Sequence, residues 1–373
     1  MLFISEKNQI VIDVTKPPYN ADNTGTVDCT DILCKILDDV LKREIEAVKE
    51  TRQMLLDDPR DNFRIGFENR KINGVPTVIF PENPPPARII YFPAGTYLIS
   101  DTITYSWEDL VNLVDDKPNC DLNRFIRFKG EGMDCVTIRV KDNCRAFRYG
   151  EKRPMVSFVR SRFSNVNMMN SFEDLTLDTG VGTTGAIGLR FSSSNTGKVQ
   201  NVTIRTSDPA HRGYAGVEVD TRHQAYMKNL HIDGFEYGIH VTNEWCVVFE
   251  DLYIKNTTRM AVLVNRGTIG IRSAVIESLG SGVRCEERGM LNMEDVVVRH
   301  IGARGGEGIR NYDAFTYLRN FTVENFSFAL LNNFDTIYPH DGTYHEYTSC
   351  DRVWRLFPRA EDSLFLPVET QPA

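Results

Sequence analysis

The chain has 373 residues, of which 43 are basic and 51 acidic, and its net charge is −8. This charge, together with the lack of a lysine- and arginine-rich stripe, argues against nucleic-acid binding, and no apolar stretch is long enough to predict a membrane-spanning helix. A hydrophobic content of 41% and a charged content of 25% are typical of a globular protein with a buried core.

The first segment, residues 1–58, is predicted to hold a strand and a capping α-helix. Its start, MLFISEKNQIVIDV, lacks a charged region followed by an apolar one, so no signal peptide is expected in this chain. From residue 28 to 58 apolar residues recur at helical spacing, with Asp28 or Thr30 as the cap and Pro59 as the stop. Such a helix would cover the apolar end of a solenoid.

Residues 59–88 are predicted to form an insertion loop that ends in the proline-stiffened connector PENPPPAR. Eight cysteines are scattered along the chain, and none has the spacing of metal ligands. We therefore expect reduced thiols, no metal site and no cofactor.

Seven short segments then repeat one pattern of alternating apolar residues: FEDLTLD, VQNVTIR, MKNLHID, FEDLYIK, IRSAVIE, MEDVVVR and LRNFTVE. Their central apolar residues follow one another at steps of 27, 28, 22, 22, 22 and 25. A regular period in this range indicates stacked coils, and strict alternation makes each unit a strand. The pattern predicts an all-β chain with a parallel β-helix over residues 89–331.

Aligning the repeats separates the core from the surface. Three columns are apolar and predicted to face inward, and they begin at Phe172, Leu175 and Leu177. A fourth column of aspartate, asparagine and serine, from Asp174 to Asn320, predicts a turn. Two outward columns alternate in charge, which is typical of a ladder of exposed ion pairs.

A second series of segments confirms the period: GLRF, GVEV, GIHV, AVLV, GVRC, GIRN and ALLN. The small residue that begins each of them predicts a sharp corner where glycine can take a positive φ. Residues 332–373 lose the period and are predicted to be the other cap and a tail. We expect one structural domain overall.

The chain contains the stretch YFPAGTYLISDTI at 91–103 and the stretch FKGEGMDCVTIRV at 128–140. They resemble a motif near the start, and the next coil, of the pectate-lyase-like right-handed β-helix superfamily (the pectin-lyase-like solenoid). The segments NSFEDLTLDTGVGTTGAIGLRF and HIDGFEYGIHV look most like the branch with the family 55 glycoside hydrolases, which act on β-1,3-glucans. The resemblance covers about residues 10–368 and implies a polysaccharide or oligosaccharide as partner, outside the cell or on its surface.

The resemblance to family 55 is incomplete. Those enzymes carry two tandem β-helices, and the second supplies the general acid. This chain holds one helix, and its end, SLFLPVETQPA, resembles the link that leads into the second. The resemblance thus implies either a single-helix relative or a second β-helix beyond residue 373. The galacturonase motifs NxD, DD, GHG and RIK and the pectate lyase signatures are absent.

Glu218 and Asp220 are the candidate catalytic pair. Residues i and i+2 of a strand point to the same side about 6.8 Å apart, a separation that suits inverting hydrolysis of a glycosidic bond. The long loop 205–216 lies beside them and offers three substrate-binding candidates: His211, Arg212 and Tyr214. The alternative is a pair of solvent-facing carboxylates bound to Arg190.

Further substrate-binding candidates come from an aromatic and polar group in the next two coils: His231, His240, Glu244, Trp245 and Tyr253, with Tyr237 beside them. The alternative is a surface cluster packed under a loop. The resemblance adds Ser192 and Asn195 of the segment RFSSSN as polar groups at the site.

Three functions stay open at this point. The first is a glycoside hydrolase that acts on a glucan-type polysaccharide. The second is a non-catalytic glycan-binding or surface module of the tailspike kind. The third is a polysaccharide lyase, in which Arg212 or Arg190 would neutralise the carboxylate of a uronate.

Overall fold

The computed structural model describes residues 11–40, 71–72, 75–76, 89–104, 126–157, 170–191, 193, 197–220, 225–242 and 246–349. The chain forms a parallel β-helix, as predicted. Its strands, in chain order, are β1 (Val11–Asp13), β2 (Thr24–Asp28), β3 (Lys71–Ile72), β4 (Val75–Pro76), β5 (Ile89–Phe92), β6 (Gly95–Ile99), β7 (Arg127–Gly130), β8 (Val136–Val140), β9 (Arg153–Ser157), β10 (Ser171–Asp178), β11 (Ala186–Arg190), β12 (Lys198–Arg205), β13 (Ala215–Val219), β14 (Ala225–Asp233), β15 (Tyr237–Val241), β16 (Cys246–Thr257), β17 (Met260–Asn265), β18 (Thr268–Ser278), β19 (Ser281–Glu286), β20 (Met290–His300), β21 (Glu307–Tyr312), β22 (Phe315–Glu324), β23 (Phe328–Asn332), β24 (Asp335–Tyr338) and β25 (Gly342–Thr348).

Two large sheets form the wall of the solenoid. Sheet 1 stacks β1-β5-β7-β10-β12-β14-β16-β18-β20-β22-β25, with β2, β6 and β8 paired beside this path. Sheet 2 stacks β9-β11-β13-β15-β17-β19-β21-β23-β24. Each coil from β10 onward thus contributes one long strand to sheet 1 and one short strand to sheet 2. The strands β3 and β4 form a separate antiparallel pair.

The predicted turn column is a bend inside sheet 1. Its seven residues all have left-handed backbone, with φ between 47° and 57°: Asp174, Asn201, Asn229, Asp251, Ser273, Asp295 and Asn320. Asparagine and aspartate tolerate this region better than other residues with a Cβ. Their side chains also bond along the stack, since Asn201 Nδ2 donates to Asp174 Oδ1 at 2.7 Å and Asn229 Nδ2 to Asn201 Oδ1 at 2.9 Å.

The predicted inward columns are the core. Leu175 pairs with Val202, Val202 with Leu230 and Leu230 with Leu252, and each is at most 2% exposed. This column continues through Ala274 to Phe321 in the same register. The outward charge column is an ion-pair ladder, as predicted. Its pairs include Arg205 Nε with Asp178 Oδ2 at 3.1 Å and Arg299 with both Glu277 and Glu324.

The prediction of positive φ for the glycines that begin the second series is wrong. Gly188, Gly216 and Gly238 lie within strands of sheet 2 and have ordinary extended backbone. Glycine is required there because neighbouring atoms leave no room for a Cβ. A Cβ on Gly216, for example, would lie 2.8 Å from the carbonyl oxygen of Gly238 and would collide with Ile232.

Both ends of the described solenoid carry additional elements. Residues 30–40 are helical, and Asp28 Oδ1 accepts from the Thr30 amide (2.9 Å) and hydroxyl (2.6 Å), so Asp28 is the cap. The helix buries Leu33, Ile36, Leu37 and Val40 in the same core as the first strands. The rest of the predicted helix, 41–58, lies outside the described residues.

At the C-terminal end, β25 pairs antiparallel with β22 and β24 with β23, which ends the parallel stack. No helix in the described part of the chain has the length and apolar character needed to span a membrane.

We expect Ile254→Asp to destabilise the solenoid by several kcal/mol, because an unpaired charge would enter the core. Ile254 is fully buried. The matched control is Lys255→Ala, which removes an exposed partner of Asp233 (3.1 Å) and should cost about 1 kcal/mol or less. Urea denaturation of both variants checks the assignment, and equal losses would contradict it.

We expect Ser273→Asn to raise the free energy of unfolding by about 1 kcal/mol, because asparagine is less strained at positive φ and adds a hydrogen bond. Asp251 and Asp295 occupy the same bend on the neighbouring coils, and Asn320 already donates to Asp295. The control Ser273→Val places a β-branched residue at the same bend and should lower the free energy. Urea denaturation of both variants measures the effect. A higher urea midpoint for Ser273→Val than for Ser273→Asn would contradict this prediction.

Candidate functional site

A group of polar and aromatic side chains lies on the outer face of sheet 2. Register pairs Arg190 of β11 with Glu218 of β13, and Glu218 with His240 of β15, so these three residues lie side by side on consecutive coils. Tyr214 directly precedes β13 and Tyr237 begins β15. The loop from Thr206 to Tyr214 borders this face.

The two candidate catalytic carboxylates share one arginine. Arg190 Nε donates to Glu218 Oε2 at 2.8 Å, and a second guanidinium nitrogen bonds the same oxygen. Arg190 Nε also lies 3.4 Å from Asp220 Oδ2. Glu218 is only 7% exposed. The pairing with Arg190, which the sequence left as the alternative, is thus present for both residues, but Glu218 is buried and does not face solvent.

Tyr214, Tyr237 and His240 form a compact aromatic cluster. The ring of Tyr237 stacks on that of His240 with centroids 5.0 Å apart, and Tyr214 meets both edge-on at 5.5 and 5.9 Å. Both tyrosines are less than a tenth exposed. Their burial makes the cluster a fixed platform rather than a pair of free rings for stacking.

Two exposed cations cover this platform. Lys152 Nζ lies 4.2 Å from the centre of the Tyr214 ring, and the Arg259 guanidinium lies 5.2 Å from the centre of the Tyr237 ring. Each position is typical of a cation–π contact. The two cations bring positive charge to the outer surface of the cluster, and Glu236, whose carboxylate lies 4.0 Å from the Arg259 guanidinium, offsets part of it.

The Tyr214 hydroxyl connects Lys152 to His240. Its oxygen lies 3.0 Å from Lys152 Nζ and 3.2 Å from His240 Nδ1. A lysine ammonium has only donors, so the Tyr214 oxygen accepts from Lys152. When the ring proton of His240 lies on Nε2, its Nδ1 accepts the proton of the Tyr214 hydroxyl.

The surroundings of His240 favour its neutral form. Burial, and then the positive charges of Lys152 and Arg259, lower the pKa of His240 from 6.5 to about 4. The hydrogen bond to Tyr214 is the largest cause that raises the pKa of Lys152, which keeps the ammonium charged. The cluster thus holds a neutral imidazole beside a permanent cation.

The loop residues are held by a buried aspartate. Arg212 binds Asp208 through Nε and a terminal nitrogen at 2.9–3.2 Å, and the Asp208 side chain is fully buried. Burial opposes ionisation, but bonds from Arg212 and from the amides of Ala210 and Gly182 outweigh it and lower the pKa of Asp208. Because Arg212 binds this buried aspartate, it fixes the loop. His211 lies on the same loop with φ of 55°.

The remaining predicted residues are not brought to this face. His231 and Tyr253 lie on β14 and β16 of sheet 1, edge to face at 5.9 Å, and the Tyr253 hydroxyl donates to Glu277 at 3.0 Å. The structure therefore separates them from Tyr237 and His240, because their strands belong to different walls of the solenoid. Ser192, Asn195, Glu244 and Trp245 lie outside the described residues.

Sequence reasoning missed Lys152 and Arg259. Arg259 lies directly before β17, and Tyr214 lies directly before β13, two coils earlier. If the aligned segments of the second series had been extended towards their N-terminal ends, Arg259 would have fallen in the same column as Tyr214. Lys152 precedes β9, ahead of the first aligned repeat, and carried no such signal. Among the described residues no group of His, Cys, Asp or Glu side chains could hold a metal ion.

Chemically, the arrangement can bind an anion and move a proton. The exposed cations offer donors to a carboxylate, and the Tyr214 hydroxyl can exchange a proton with a neutral imidazole. Sheet 2 provides a rigid base for both groups.

Residues 17–284 match the model of a protein family described as rhamnogalacturonase A/epimerase, pectate lyase-like. No curated protein sequence matches the chain. Among solved structures, ORF18 of Geobacillus virus E2 is similar at 12% identity and a TM-score of 0.39, over 85% of this chain and 62% of that one. The catalytic domain of a GH87 α-1,3-glucanase in complex with tetrasaccharides is similar at 12% identity and a TM-score of 0.34. This match covers 66% of this chain and 53% of that one.

The A-module of the mannuronan C-5 epimerase AlgE6 from Azotobacter vinelandii gives 13% identity and a TM-score of 0.35, over 87% of this chain and 90% of that module. The chain thus spans about three fifths of the virus protein and about half of the glucanase domain.

We expect the titration of His240 to lower the free energy of unfolding as the pH falls from about 6.5 towards 4. The unfolded chain binds a proton near pH 6.5 and the folded chain only near pH 4, so protons favour unfolding between these values. At pH 5 the loss relative to pH 7 should be about 2 kcal/mol. Urea denaturation at both pH values, compared with the non-titrating variant His240→Gln, measures it. An imidazole titration with a midpoint near 6.5 would contradict the prediction.

Proposed function

The chain belongs to the rhamnogalacturonase A/epimerase, pectate lyase-like family of carbohydrate-active β-helix proteins, and we propose that it acts on an acidic polysaccharide at the outer face of sheet 2. The observation that carries the proposal is the Tyr214 hydroxyl, held between Lys152 Nζ at 3.0 Å and His240 Nδ1 at 3.2 Å. A hydroxyl in this position can take part in proton transfer.

The charges of the site support a uronate as the sugar. Lys152 and Arg259 are exposed and lie over the aromatic platform. A sugar carboxylate placed between them would bind both cations, with Arg259 shared between the ligand and Glu236. Neutralisation makes the C–H bond beside the carboxylate more acidic, because the carbanion formed there is stabilised by the same charges.

The proton would move through Tyr214. Its oxygen takes the proton from the carbon beside the carboxylate, while its own proton passes to Nδ1 of His240. The cations that now lower the proton affinity of His240 would be compensated by the bound carboxylate, so substrate binding makes the imidazole a better acceptor. This coupling ties the proton transfer to an acidic sugar.

Two outcomes follow from the same first step. Loss of the glycosidic oxygen from the adjacent carbon, with the proton of His240 passing back through Tyr214 to that oxygen, gives a lyase and an unsaturated product. Return of a proton from water to the opposite face of the sugar, while His240 releases its proton to water, gives an epimerase. Both reactions use Lys152 and Arg259 to hold the carboxylate and Tyr214 with His240 to remove the proton.

Hydrolysis by Glu218 and Asp220 is the second candidate. Both carboxylates converge on Arg190, which supports a common site. Glu218 accepts two bonds from Arg190 and is almost fully buried, however, so its carboxylate is already occupied by Arg190. Hydrolysis of a glycosidic bond needs two carboxyl groups that reach the substrate.

We expect Tyr214→Phe to lower turnover of an oligouronate about 100-fold or more, because a positioned proton carrier contributes a factor of this order. Ultraviolet absorbance of unsaturated products and NMR of the epimerised carbon measure the two outcomes on oligogalacturonate and oligomannuronate. The matched control is Tyr253→Phe, which removes a tyrosine hydroxyl from sheet 1 and should leave turnover unchanged.

Retention of oligouronate turnover in Tyr214→Phe would refute the proposal. Release of reducing ends from a neutral glucan, lost in Asp220→Asn, would select the hydrolase instead. Binding of an oligouronate without turnover would select the non-catalytic glycan-binding module.

A further inference from the structure

An exposed, uncharged stripe runs along sheet 1, on the part of each strand that precedes the bend. We name it the tyrosine stripe. Register places its members in two adjacent columns, one of Tyr226, Val248, Gly270, Asn292 and Tyr317, the other of Cys246, Thr268, Met290 and Phe315. Its large apolar members are 37–50% exposed.

The two tyrosines of the stripe are held by carboxylates. The Tyr226 hydroxyl bonds Glu250 on the next coil, and the Tyr317 hydroxyl donates to Glu346 of β25 at 2.6 Å. Each hydroxyl thus reaches the neighbouring strand, so each ring leans along the solenoid axis. A ring held in this way loses little conformational entropy when a ligand packs on it.

Gly270 leaves the centre of the stripe open. It lies inside β18 with ordinary extended backbone, and a Cβ there would meet only Val248, at 3.7 Å or more. Neither the backbone nor the packing therefore requires glycine. A glycine inside a strand weakens it and is typical of places where a ligand or another backbone approaches closely.

The size of the stripe favours a narrow ligand. Five strands span about 19 Å and two outward columns about 7 Å, a footprint of roughly 130 Å². A stable dimer needs about 800 Å² from each partner. The stripe is thus too small to hold a second copy, and its length and width suit a short extended chain of sugar rings.

The chemistry of the stripe selects the ligand class. Its residues carry no charge, which gives an acidic chain no counter-ion within the stripe. Aromatic rings can pack on the apolar faces of sugar rings, and Asn292 and Thr268 offer donors and acceptors to hydroxyl groups. We propose that the tyrosine stripe binds a neutral polysaccharide that runs along the solenoid axis, at a site separate from the face of sheet 2.

The sharpest test fills the open centre without harming the fold. Gly270→Gln places a side chain where only ordinary contacts exist, so its melting temperature should equal or exceed that of the wild type. We expect retention on insoluble β-glucan and affinity for β-1,3-gluco-oligosaccharides and cello-oligosaccharides to fall at least tenfold. Tyr317→Ala should give a similar loss.

The matched control is Val275→Gln, which introduces the same side chain at an exposed outward position of the same strand, beyond the bend. It should bind as the wild type does. Tyr214→Phe should also retain neutral-glucan binding, so failure of the proposed uronate reaction and failure of the stripe are read separately.

Three results would overturn the inference: no retention of the wild type on any of these glucans, unchanged retention in both Gly270→Gln and Tyr317→Ala, or a dimer in solution that Gly270→Gln converts to a monomer. The last would assign the stripe to a second copy of the chain.

Discussion

The structure depends on one repeated constraint, the left-handed residue at the bend of sheet 1. Because Asp174 and its six successors all adopt φ near 50°, every coil turns at the same point of its strand and the parallel register is kept. A slip of one residue in a strand would exchange its inward and outward side chains. It would expose Leu252, for example, and bury Tyr253. The bend therefore decides which residues form the core and which are available for function.

The constraint acts differently on the two walls. In sheet 1 it produces long strands with ordered outward columns, in which charges pair along the stack as in the ladder of Arg299 with Glu277 and Glu324. The strands of sheet 2 are short, and the loop before β13 is long enough to hold Asp208 and Arg212. Polar groups that do not fit a ladder, such as Lys152 and His240, meet on this second wall. A rigid strand beside a long loop is where binding sites commonly form.

Much of this could be predicted from sequence because it is local. The apolar columns, the bend and the ion-pair ladder all follow from residue types at fixed steps, and the structure confirms them. The glycine argument failed because Gly216 is required by the approach of Ile232 and the Gly238 carbonyl, a contact between coils that spacing does not reveal. The candidate site was predicted only in part. Glu218 and Tyr214 were selected from their position beside the loop and remain predictions, whereas Lys152 lay ahead of the aligned repeat. His231 and His240 look alike in sequence, but they lie on different sheets.

The two outer surfaces differ in ways that fit separate roles in our proposals. On sheet 2, Lys152 and Arg259 cover buried rings, so a ligand would meet cations first and the aromatic residues serve to position Tyr214 and His240. On sheet 1, the rings of Tyr226 and Tyr317 are themselves exposed, and their hydroxyls are already occupied by glutamates. A ligand there would meet apolar surface first. Among the described residues, an acidic chain would gain charge pairing at the first surface and a neutral chain would gain ring contact at the second. In these proposals one solenoid would hold two polysaccharides of different charge without competition between them.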